Sequence, residues 1–509
     1  MNRATMGPVS PNSNGAVRRL LLVVATACGE SERDILRAVE ECGDFDLSVA
    51  TVKVSAQRIT LSLAERAYRA LDRRVFGGPQ IDRLSPASEV EASDLAAIVA
   101  DLDPCAVVDL TGTVCGDLGF RSVPLLSLWF EGAPASHLVQ AVRRRLGAHH
   151  GTVQVSVRTQ ASNAVRTLFS GACFIDHRSL ARSIALVARK VPMVLQAGFS
   201  RSGRPDQIST SLSEAPPPML GPLRQIWRLA ASIVQRLLWR DQWGMLVYRD
   251  QPRARLHRPW ATVMPDASAF WADPFLVPHA GGAGLFFEEL PFATGKGRIS
   301  FVPIDGEGRP GQPVVVLDKP WHLSYPFQFE SDGRRYMIPE SSANETVDLY
   351  ECTEFPHQWR FVQTLIGGRR LADATIVSWQ GRLWMFAAHG HPGASNYDEL
   401  HIYSAGNLQG PWRPHVRNPV KFDAGSARPA GAMWVENGRI VRPTQDCRNR
   451  YGDGVAFQEV VALDDSRFEE RPLDRLAPRG TSEGAAVHTF NEMTGFTVID
   501  AAGSAWRRW

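Results

Sequence analysis

Five polar residues recur at intervals of 48 to 55 residues in the second half of the chain. Asp273, Tyr325, Asp373, Arg428 and Glu483 each take the second place of a short phrase that opens an apolar run, as in Ala-Asp-Pro-Phe at 272–275. Carboxyl groups can transfer protons, and a guanidinium can hold an anionic group by two parallel hydrogen bonds. A structural repeat would tend to keep one residue type at this place. The varied polar types therefore indicate side chains that converge on a ligand.

A second set of polar residues follows the second strand-like segment of each repeat. Its members are Glu288, Glu289, Glu340, His389, Asp446 and Asp500. From the two sets together we predict catalytic roles for Asp273, Asp373, Glu340 and Glu483. We predict ligand contacts for Tyr325, Arg428, Asp446, Glu288 and His389.

Structural roles are the alternative for several of these residues. An Asp that precedes Pro can bond backbone amides and stabilise a turn. Tyr325 can fill a seam between two repeats, and Arg428 can pair with Asp423 or Asp446. These alternatives stay open at the level of sequence.

Neither a metal nor a cofactor is predicted. His389 and His391 have a spacing that occurs in metal sites, but no Cys is near, and the Gly- and Pro-rich surroundings favour a loop role. The seven Cys residues are scattered without a CxxC pair, which excludes a disulfide framework and fits a reducing compartment. Neither a GxGxxG nor a Walker A sequence occurs.

The spacing of the repeats predicts a five-bladed β-propeller over residues 243–509. A period of about 50 residues with several strands per unit is typical of propeller blades. Asp-Gly at 332–333, Gln-Gly at 380–381 and Asn-Gly at 437–438 supply the positive φ angles of tight hairpins. Third strands are expected at 298–303, 347–352, 399–404 and 455–461. The starts of the innermost strands would then converge on the axis of the ring.

The first half alternates strand and helix patterns, which predicts an α/β, Rossmann-like domain over residues 19–200. Strands are expected at 20–27, 46–54, 106–110 and 124–129, and helices at 31–42, 61–75 and 95–102. Strict alternation at 151–158 predicts an antiparallel strand that pairs with 168–175, before a closing helix at 179–199. Residues 1–18 are predicted to be a disordered leader.

Residues 201–242 are predicted to form a Pro-rich linker and an amphipathic helix. The helical pattern runs over 221–243, with an apolar stripe and four Arg residues on its other side. Such a helix can dock two domains or lie on an anionic membrane surface. We expect a cytoplasmic protein, with peripheral contact at the inner membrane through 221–243 as the alternative. The net charge of +3 argues against a nucleic-acid partner.

Residues 19–200 resemble the formyltransferase-like fold, in which a Rossmann-like sheet ends in a hairpin and a helix. The resemblance rests on the segments 106–110 and 123–132, the hairpin at 151–175, and the sequence DHRSLA at 176–181. It implies an Asn, a His and an Asp for formyl transfer. The strand at 124–129 runs into Phe-Glu-Gly-Ala-Pro instead, so we expect a degenerate domain and disfavour sugar N-formyl transfer.

Residues 243–505 resemble the N-terminal domain of glucosamine inositolphosphorylceramide transferases, which bacteria also carry behind a formyltransferase-like domain. The resemblance is carried by WADPF at 271–275, LSYPF at 323–327, YMIPES at 336–341, ARPAG at 427–431, RPTQDC at 442–447 and YG at 451–452. It implies a role with a sugar, a sugar phosphate or a glycolipid head group, and a glycosyltransferase as partner. In plants a separate glycosyltransferase domain follows this domain, so the plant activity is not carried over.

A more distant resemblance is to five-bladed propeller glycosidases of the arabinanase and fructosidase type. It implies a base Asp in the first blade, matched by Asp273, and a second Asp in a middle blade, matched by Asp373. The acid position in the fourth unit holds Arg428, so Glu340 or Glu483 would have to serve. An inverting hydrolase needs two carboxyl groups roughly 6.5–9.5 Å apart.

Two functions are therefore expected. The first is an enzyme that hydrolyses or transfers glycans or glycolipids. The second is a binding or scaffold module of polysaccharide or glycolipid biosynthesis, whose ligand is an anionic sugar or sugar phosphate held in the propeller funnel.

Overall fold

The chain divides into two compact units, Met1–Ile226 and Trp227–Trp509. The computed structural model describes residues 18–25, 30–52, 63–76, 89–91, 94–111, 123–148, 150–161, 164–201, 226–227, 230–231, 233–234, 238–253, 256–477 and 486–506. The predicted leader lies outside the described residues except for Arg18, which begins a strand. Within these residues no helix combines the length and the apolar character needed to cross a membrane.

The first unit contains a mixed sheet with helices between its strands. Its strands are β1 (Arg18–Ala25), β2 (Phe45–Val52), β3 (Glu89–Val90), β4 (Ala106–Asp109), β5 (Leu125–Phe130), β6 (Ala133–Pro134), β7 (Thr152–Ala161) and β8 (Ala164–Phe174). Its helices are α1 (Glu30–Glu41), α2 (Leu63–Phe76), α3 (Leu95–Leu102), α4 (Leu138–Gly147) and α5 (Leu180–Arg201). The sequence pattern predicted all of the helices except α4.

The strand order of this sheet is β3-β2-β1-β4-β5-β7-β8, with β6 paired to β5. The pairs from β3 to β5 are parallel, and β5–β7 and β7–β8 are antiparallel. Residues 20–24 of β1 are at most 2% exposed, which explains their continuous apolar run in a central parallel strand. The alternation and the final hairpin follow the prediction, and the resemblance to formyltransferases stays a prediction.

The second unit begins with two strands, β9 (Trp239–Arg249) and β10 (Ala261–Val263). The amphipathic helix expected over 221–243 therefore ends before Trp239, and the rest of that prediction falls mostly outside the described residues. Alternation in β9 buries Trp243, Met245 and Val247, which fits a strand with one face in the core.

Five sheets make up the propeller, so the predicted architecture is confirmed. Blade 1 contains β11 (Ala269–His279), β12 (Gly282–Pro291), β13 (Arg298–Ile304) and β14 (Val314–Leu317). Blade 2 contains β15 (Ser324–Ser331), β16 (Arg334–Ser341), β17 (Thr346–Glu354) and β18 (Gln358–Gly367). Blade 3 contains β19 (Leu371–Trp379), β20 (Arg382–His389), β21 (Glu399–Ala405), β22 (Arg413–Pro414) and β23 (Lys421–Phe422). Blade 4 contains β24 (Trp434–Glu436), β25 (Arg439–Asp446), β26 (Gly454–Leu463) and β27 (Phe468–Leu476).

The fifth sheet, the closing blade, joins both ends of this unit. Its last strands are β28 (Phe490–Met493) and β29 (Phe496–Trp506), and its order is β10-β9-β29-β28. Strand β29 pairs with β9 over eleven residue pairs, from Phe496↔Arg249 to Trp506↔Trp239. Backbone hydrogen bonds between the two ends therefore close the ring.

The repeated phrase forms a β-bulge in blades 1, 2 and 3. The pairing of the first two strands shifts between Ala272 and Phe275 in blade 1, and at the equivalent places in blades 2 and 3. The bulged residues Asp273, Tyr325 and Asp373 have φ angles of 52°, 44° and 54°. This left-handed backbone conformation is unfavourable for residues other than Gly, and such backbone strain concentrates at functional sites. In the fourth unit the phrase is not a strand and makes a single bridge, Pro429↔Thr444.

Candidate functional site

Four of the five phrase residues meet in one buried polar network. The Tyr325 backbone N–H donates to Asp273 Oδ2 at 3.2 Å, and Arg428 bonds Asp373. The exposed fractions of Asp273, Tyr325, Asp373 and Arg428 are 5%, 0%, 1% and 9%. The predicted convergence is therefore present, and Glu483, the fifth predicted residue, lies outside the described residues.

Asp273 is held by residues of the closing blade. His488 Nε2 lies 2.9 Å from Asp273 Oδ1, and the Thr489 hydroxyl donates to the same oxygen at 2.8 Å. His488 Nδ1 lies 3.0 Å from Asp500 Oδ2, and Asp500 also accepts the backbone N–H groups of His488 and Thr489. The imidazole of His488 is thus placed between two buried carboxyl groups.

This placement makes His488 a cation. Burial alone would lower its pKa, but the charges of Asp500 and Asp273 raise the pKa of His488 to about 9. Burial alone would raise the pKa of Asp273, but His488 and the hydrogen bond from Thr489 hold it below its ordinary value. Asp273 is therefore an ionised, internally bonded carboxylate.

Arg428 forms a two-point ion pair with Asp373. Its Nε donates to Asp373 Oδ2 at 2.5 Å and its Nη2 to Asp373 Oδ1 at 3.3 Å. Gln445 Nε2 donates to the same carboxylate at 2.9 Å. The proposed partners Asp423 and Asp446 were wrong, because the bulge at Asp373 directs that carboxylate at Arg428. Burial would lower the pKa of Arg428, but the charge of Asp373 raises it well above its ordinary value.

The remaining faces of the Arg428 guanidinium meet an amide and two aromatic rings. Nη1 donates to Asn396 Oδ1 at 3.1 Å, and the rings of Tyr397 and Tyr451 lie 5.5 and 5.9 Å from the guanidinium carbon. Asn396, Tyr397 and Tyr451 are half-buried, so this side of the network reaches solvent.

Tyr325 takes the seam role that was the alternative for it, and its predicted ligand contact stays a prediction. Its ring packs edge-on against Phe275 in the seam between blades 1 and 2, with ring centroids 4.9 Å apart. Its hydroxyl lies 2.9 Å from Thr375 Oγ1 and accepts the Gly431 N–H at 2.7 Å. Tyr325 therefore ties blades 2, 3 and 4 together at the site.

Glu340 carries a buried oxygen that has no hydrogen-bond partner among the described residues. Its Oε1 accepts the Ser342 hydroxyl at 2.6 Å, and its Oε2 lies 3.6 Å from Arg428 Nη2. An unsatisfied buried acceptor is costly unless a bound group completes it. Glu340 is thus a suitable ligand contact, beside a donor of the opposite charge.

Glu288 pairs with a more exposed residue. His322 Nε2 lies 3.2 Å from Glu288 Oε1, and the His322 side chain is 35% exposed. Burial raises the pKa of Glu288 to about 6, since His322 offsets only part of the burial effect and the charge of Asp273 adds to it. This carboxyl group can exchange a proton near neutral pH.

Asp446, for which a ligand contact was predicted, lies outside this network. Arg448 Nη2 and Arg475 Nε both donate to Asp446 Oδ2, at 2.7 and 2.6 Å. Glu289 is likewise held by Arg298 and Ser300. Both carboxylates act as internal anchors of their blades.

His389 lies in a separate cluster in blade 3. Its ring is 4.5 Å from that of His391 and 4.7 Å from that of His401, and its Nδ1 is 3.8 Å from Glu399 Oε2. Burial lowers the pKa of His389 to about 3, so its imidazole is neutral. His389 therefore makes no direct contact with the Asp273 and Arg428 network that the structure describes.

Two side-chain groups have a geometry that a metal ion could use. They are Asp273, His488 and Asp500, and His389, His391 and Glu399. In the first group the His488 cation already compensates the carboxylates. The second group consists of two imidazoles and one carboxylate and contains no Arg or Lys.

The sequence analysis missed His488, Thr489, Gln445, Asn396 and Tyr397. Gln445 lies within the RPTQDC motif at 442–447, so a signal for it existed. His488 and Thr489 follow the fifth phrase by a few residues, but they lie just before β28, in the closing blade that also contains β9. No local pattern marks Asn396 or Tyr397 in their loop.

Comparison with known proteins relates this region to one family. Residues 260–485 match the family model described as glucosamine inositolphosphorylceramide transferase 1, N-terminal. Proteins named glucosamine inositolphosphorylceramide transferase 1 are 33% identical over 211 residues in Oryza sativa subsp. japonica, and 32% identical over 207 residues in Arabidopsis thaliana. These matches cover 41% and 40% of this chain, but the chain spans only 28% and 27% of the length of those relatives.

Solved structures show a weaker likeness. A family 117 glycoside hydrolase of Zobellia galactanivorans has a TM-score of 0.35 and 10% identity, over 51% of this chain and 90% of its own. A GH43 protein of Bacillus licheniformis has a TM-score of 0.31 and 19% identity, over 43% and 48%. At these scores the likeness carries no argument about the site. Residues 260–485, which hold Asp273, Tyr325, Asp373 and Arg428, are thus similar to the N-terminal region of glucosamine inositolphosphorylceramide transferases.

Proposed function

We propose that the propeller binds a carbohydrate, either a glycan or a glycolipid head group, at the network of Asp273, Asp373 and Arg428. The observation that carries this proposal is the buried Oε2 of Glu340, which accepts no hydrogen bond from the described residues and lies 3.6 Å from Arg428 Nη2. A sugar hydroxyl donates one hydrogen bond and accepts others. A carboxylate oxygen next to a guanidinium N–H offers a complementary pair of contacts.

The half-buried aromatic rings support the same ligand class. Tyr397 and Tyr451 lie side by side next to the guanidinium of Arg428, with their rings 5.4 Å apart. Aromatic rings present apolar faces and, in Tyr, a polar tip. Such rings suit a sugar, whose ring has both apolar C–H groups and hydroxyl groups.

The charge of the network favours a neutral or amino sugar over the anionic sugar expected from the sequence. The carboxyl groups of Asp273, Asp373, Glu340 and Asp500 outnumber the two cations, Arg428 and His488. Arg428 already has Asp373 on two of its donors and Asn396 on a third. An added phosphate or carboxylate would lie beside these carboxyl groups, with most of the Arg428 donors already used, whereas a hydroxyl or ammonium group could donate to them.

Binding without turnover is favoured because the two hydrolase-like positions are internally bonded. Asp273 accepts hydrogen bonds from His488, Thr489 and the Tyr325 backbone, and Asp373 pairs with Arg428. A general base needs a free oxygen within reach of its proton. In this geometry each oxygen of both carboxylates already accepts at least one internal hydrogen bond.

A catalytic function is the second candidate, and the raised pKa of Glu288 favours it. A carboxyl group with a pKa of about 6 can donate a proton near neutral pH, as a general acid must. Glu340, rather than Asp273, would then be the second carboxyl group.

The wider context is also a proposal. The relatives are named glucosamine inositolphosphorylceramide transferases, and this name agrees with an amino sugar or a glycolipid head group as ligand. This wider context includes a glycosyltransferase partner and a scaffold role for a degenerate formyltransferase-like domain. It also includes a cytoplasmic location, with membrane contact through the part of 221–243 that precedes β9.

The test is ligand titration of the full chain by calorimetry with glucosamine, glucose, glucuronic acid, inositol phosphate and short glycans, together with product analysis. We expect saturable binding of a neutral or amino sugar, weakened at least about tenfold by Glu340→Ala through the loss of a charged hydrogen bond. Glu330→Ala, an exposed glutamate in the same blade, is the matched control. Absence of saturable binding refutes the proposal. Product that disappears in Glu288→Gln would replace it with the catalytic function.

A further inference from the structure

The histidine cluster of blade 3 has the composition of a metal site. His389 ends β20, His391 follows in the next loop, and Glu399 begins β21. One ligand atom from each of these residues can be chosen so that all three lie within 4.8 Å of one another. His391 Nε2 is 3.0 Å from Glu399 Oε1, and His389 Nδ1 is 3.8 Å from Glu399 Oε2. Two ligands of a tetrahedral Zn²⁺ at its usual bond lengths are about 3.4 Å apart, so a small contraction would complete the site.

Two buried ring nitrogens in this cluster have no hydrogen-bond partner among the described residues. They are Nδ1 of His389, which is 8% exposed, and Nε2 of His401, which is 9% exposed. Both point at the carboxylate of Glu399, which is 0% exposed, at 3.8 and 3.5 Å from its Oε2. Bare imidazole nitrogens around a fully buried carboxylate are costly without a cation between them.

We propose that His389, His391 and Glu399 bind a divalent transition-metal ion, for which Zn²⁺ is the best match. Imidazole and carboxylate ligands suit Zn²⁺ and its neighbours, whereas Mg²⁺ and Ca²⁺ prefer an all-oxygen set. His401 is a positioning residue, because it lies on the same carboxylate and fixes its orientation. The His391 side chain is 32% exposed, which gives the ion a path from solvent.

The ion would fix the loop that holds Arg428. Residues 392–398 lie between His391 and Glu399, so a metal bound by both residues joins the two ends of this loop. Asn396 and Tyr397, in the middle of the loop, contact the Arg428 guanidinium. Gly390, next to two of the ligands, lies against Asn396, where an added Cβ would be 3.4 Å from the Asn396 Cβ. The metal therefore orders one wall of the proposed sugar site without contacting the ligand.

The sequence analysis favoured a loop role for His389 and His391. Neither the spacing of these two residues nor the Gly- and Pro-rich surroundings indicate the third ligand, Glu399, because it comes from the following strand.

The test uses the full chain purified without a polyhistidine tag, stripped with a chelator and titrated with Zn²⁺ in the absence of any carbohydrate. We expect one Zn²⁺ per chain to survive dialysis, as measured by elemental analysis, and Co²⁺ to give the visible absorption of a tetrahedral site. His391→Ala, at a partly exposed position, should keep the fold and weaken Zn²⁺ binding more than about 100-fold, since even outer partners of metal ligands contribute 10- to 100-fold. His357→Ala, at an exposed position in blade 2, is the matched control and should bind as the unmodified chain does.

Several outcomes would overturn the proposal. They are a stripped chain that takes up less than about a tenth of an equivalent of Zn²⁺, and a His391→Ala variant that binds as tightly as His357→Ala. A third is full displacement of Zn²⁺ by millimolar Mg²⁺. In these cases His391 is only a hydrogen-bond partner of Glu399. Because no sugar is present, these results are independent of the proposed carbohydrate binding.

Discussion

Replacement of Arg428 by Met should destabilise the propeller far more than replacement of any surface arginine. Arg428 and Asp373 are 9% and 1% exposed and share two hydrogen bonds. Arg428→Met leaves the Asp373 carboxylate buried with Gln445 as its main remaining donor. Removal of one partner of a buried ion pair costs about 3–5 kcal/mol of unfolding free energy, because the other charge stays buried without compensation.

Arg382→Met is the matched control for this prediction. Arg382 donates to both oxygens of Asp465 at 2.7 Å, but its side chain is 37% exposed and that of Asp465 is 70% exposed. Solvent screening limits such a pair to less than about 1 kcal/mol. Each substitution removes an arginine that donates two hydrogen bonds to one aspartate, and the main difference between the two pairs is their burial.

Urea unfolding followed by tryptophan fluorescence measures both variants. All but one of the 14 Trp residues follow residue 226, so the signal reports the propeller. In the double variant Arg428→Met with Asp373→Asn the buried charge is absent, and we expect recovery of about 1–3 kcal/mol relative to the sum of the single effects. An Arg428→Met loss no greater than that of Arg382→Met would refute the reasoning. So would additive single effects, because Asp373 would then not depend on Arg428.

Three further predictions concern the same unit. Because the pKa of His488 is raised to about 9, its contribution to stability is complete below pH 6.5 and is lost as the pH rises to about 9. The loss is on the order of 3 kcal/mol of unfolding free energy. The urea midpoint of the native chain should fall across this pH range, and that of His488→Asn should not. Tyr325→Phe leaves the Gly431 N–H without its acceptor and should cost about 1–3 kcal/mol; an unchanged urea midpoint would show that this bond contributes nothing. Gly431→Ala places a Cβ 1.9 Å from the Phe490 carbonyl oxygen and should prevent native packing. Gly438→Ala, the control, meets no atom within 4 Å and should cost only about 1 kcal/mol of unfolding free energy. Equal losses of thermal stability in the two variants would contradict this prediction.

The blade strands were predictable because their signals are local. Apolar alternation and turn dipeptides act within a few residues, so third strands such as β13 and β17 lie where the sequence placed them. Helix α4 was missed because three consecutive Arg residues, 143–145, interrupt its apolar pattern. The strand β9 was taken for the end of a helix because its pairing partner lies about 250 residues away in the chain.

The candidate site was predictable in its location and not in its chemistry. A polar residue at the same place of each repeat indicated which side chains converge, since equivalent positions of the blades lie at the same distance from the axis of the ring. It could not indicate that Asp373 pairs with Arg428 or that Asp273 pairs with His488, because the β-bulges determine the directions of these side chains. Partners that meet only through ring closure leave no signal in the local sequence.

The closing blade also determines when the site can exist during biosynthesis. Asp273 is made early, but His488, Thr489 and Asp500, which hold it, belong to the segment that closes the ring. His488 follows Asp273 by 215 residues, so a ribosome that adds roughly 5–20 residues per second would leave Asp273 uncompensated for about 10–40 s. The polar centre is therefore assembled last, and any nascent or cleaved propeller that lacks β29 would be both an open ring and a protein without its charge balance. Only a chain that has been synthesised through β29 can therefore form the proposed carbohydrate site.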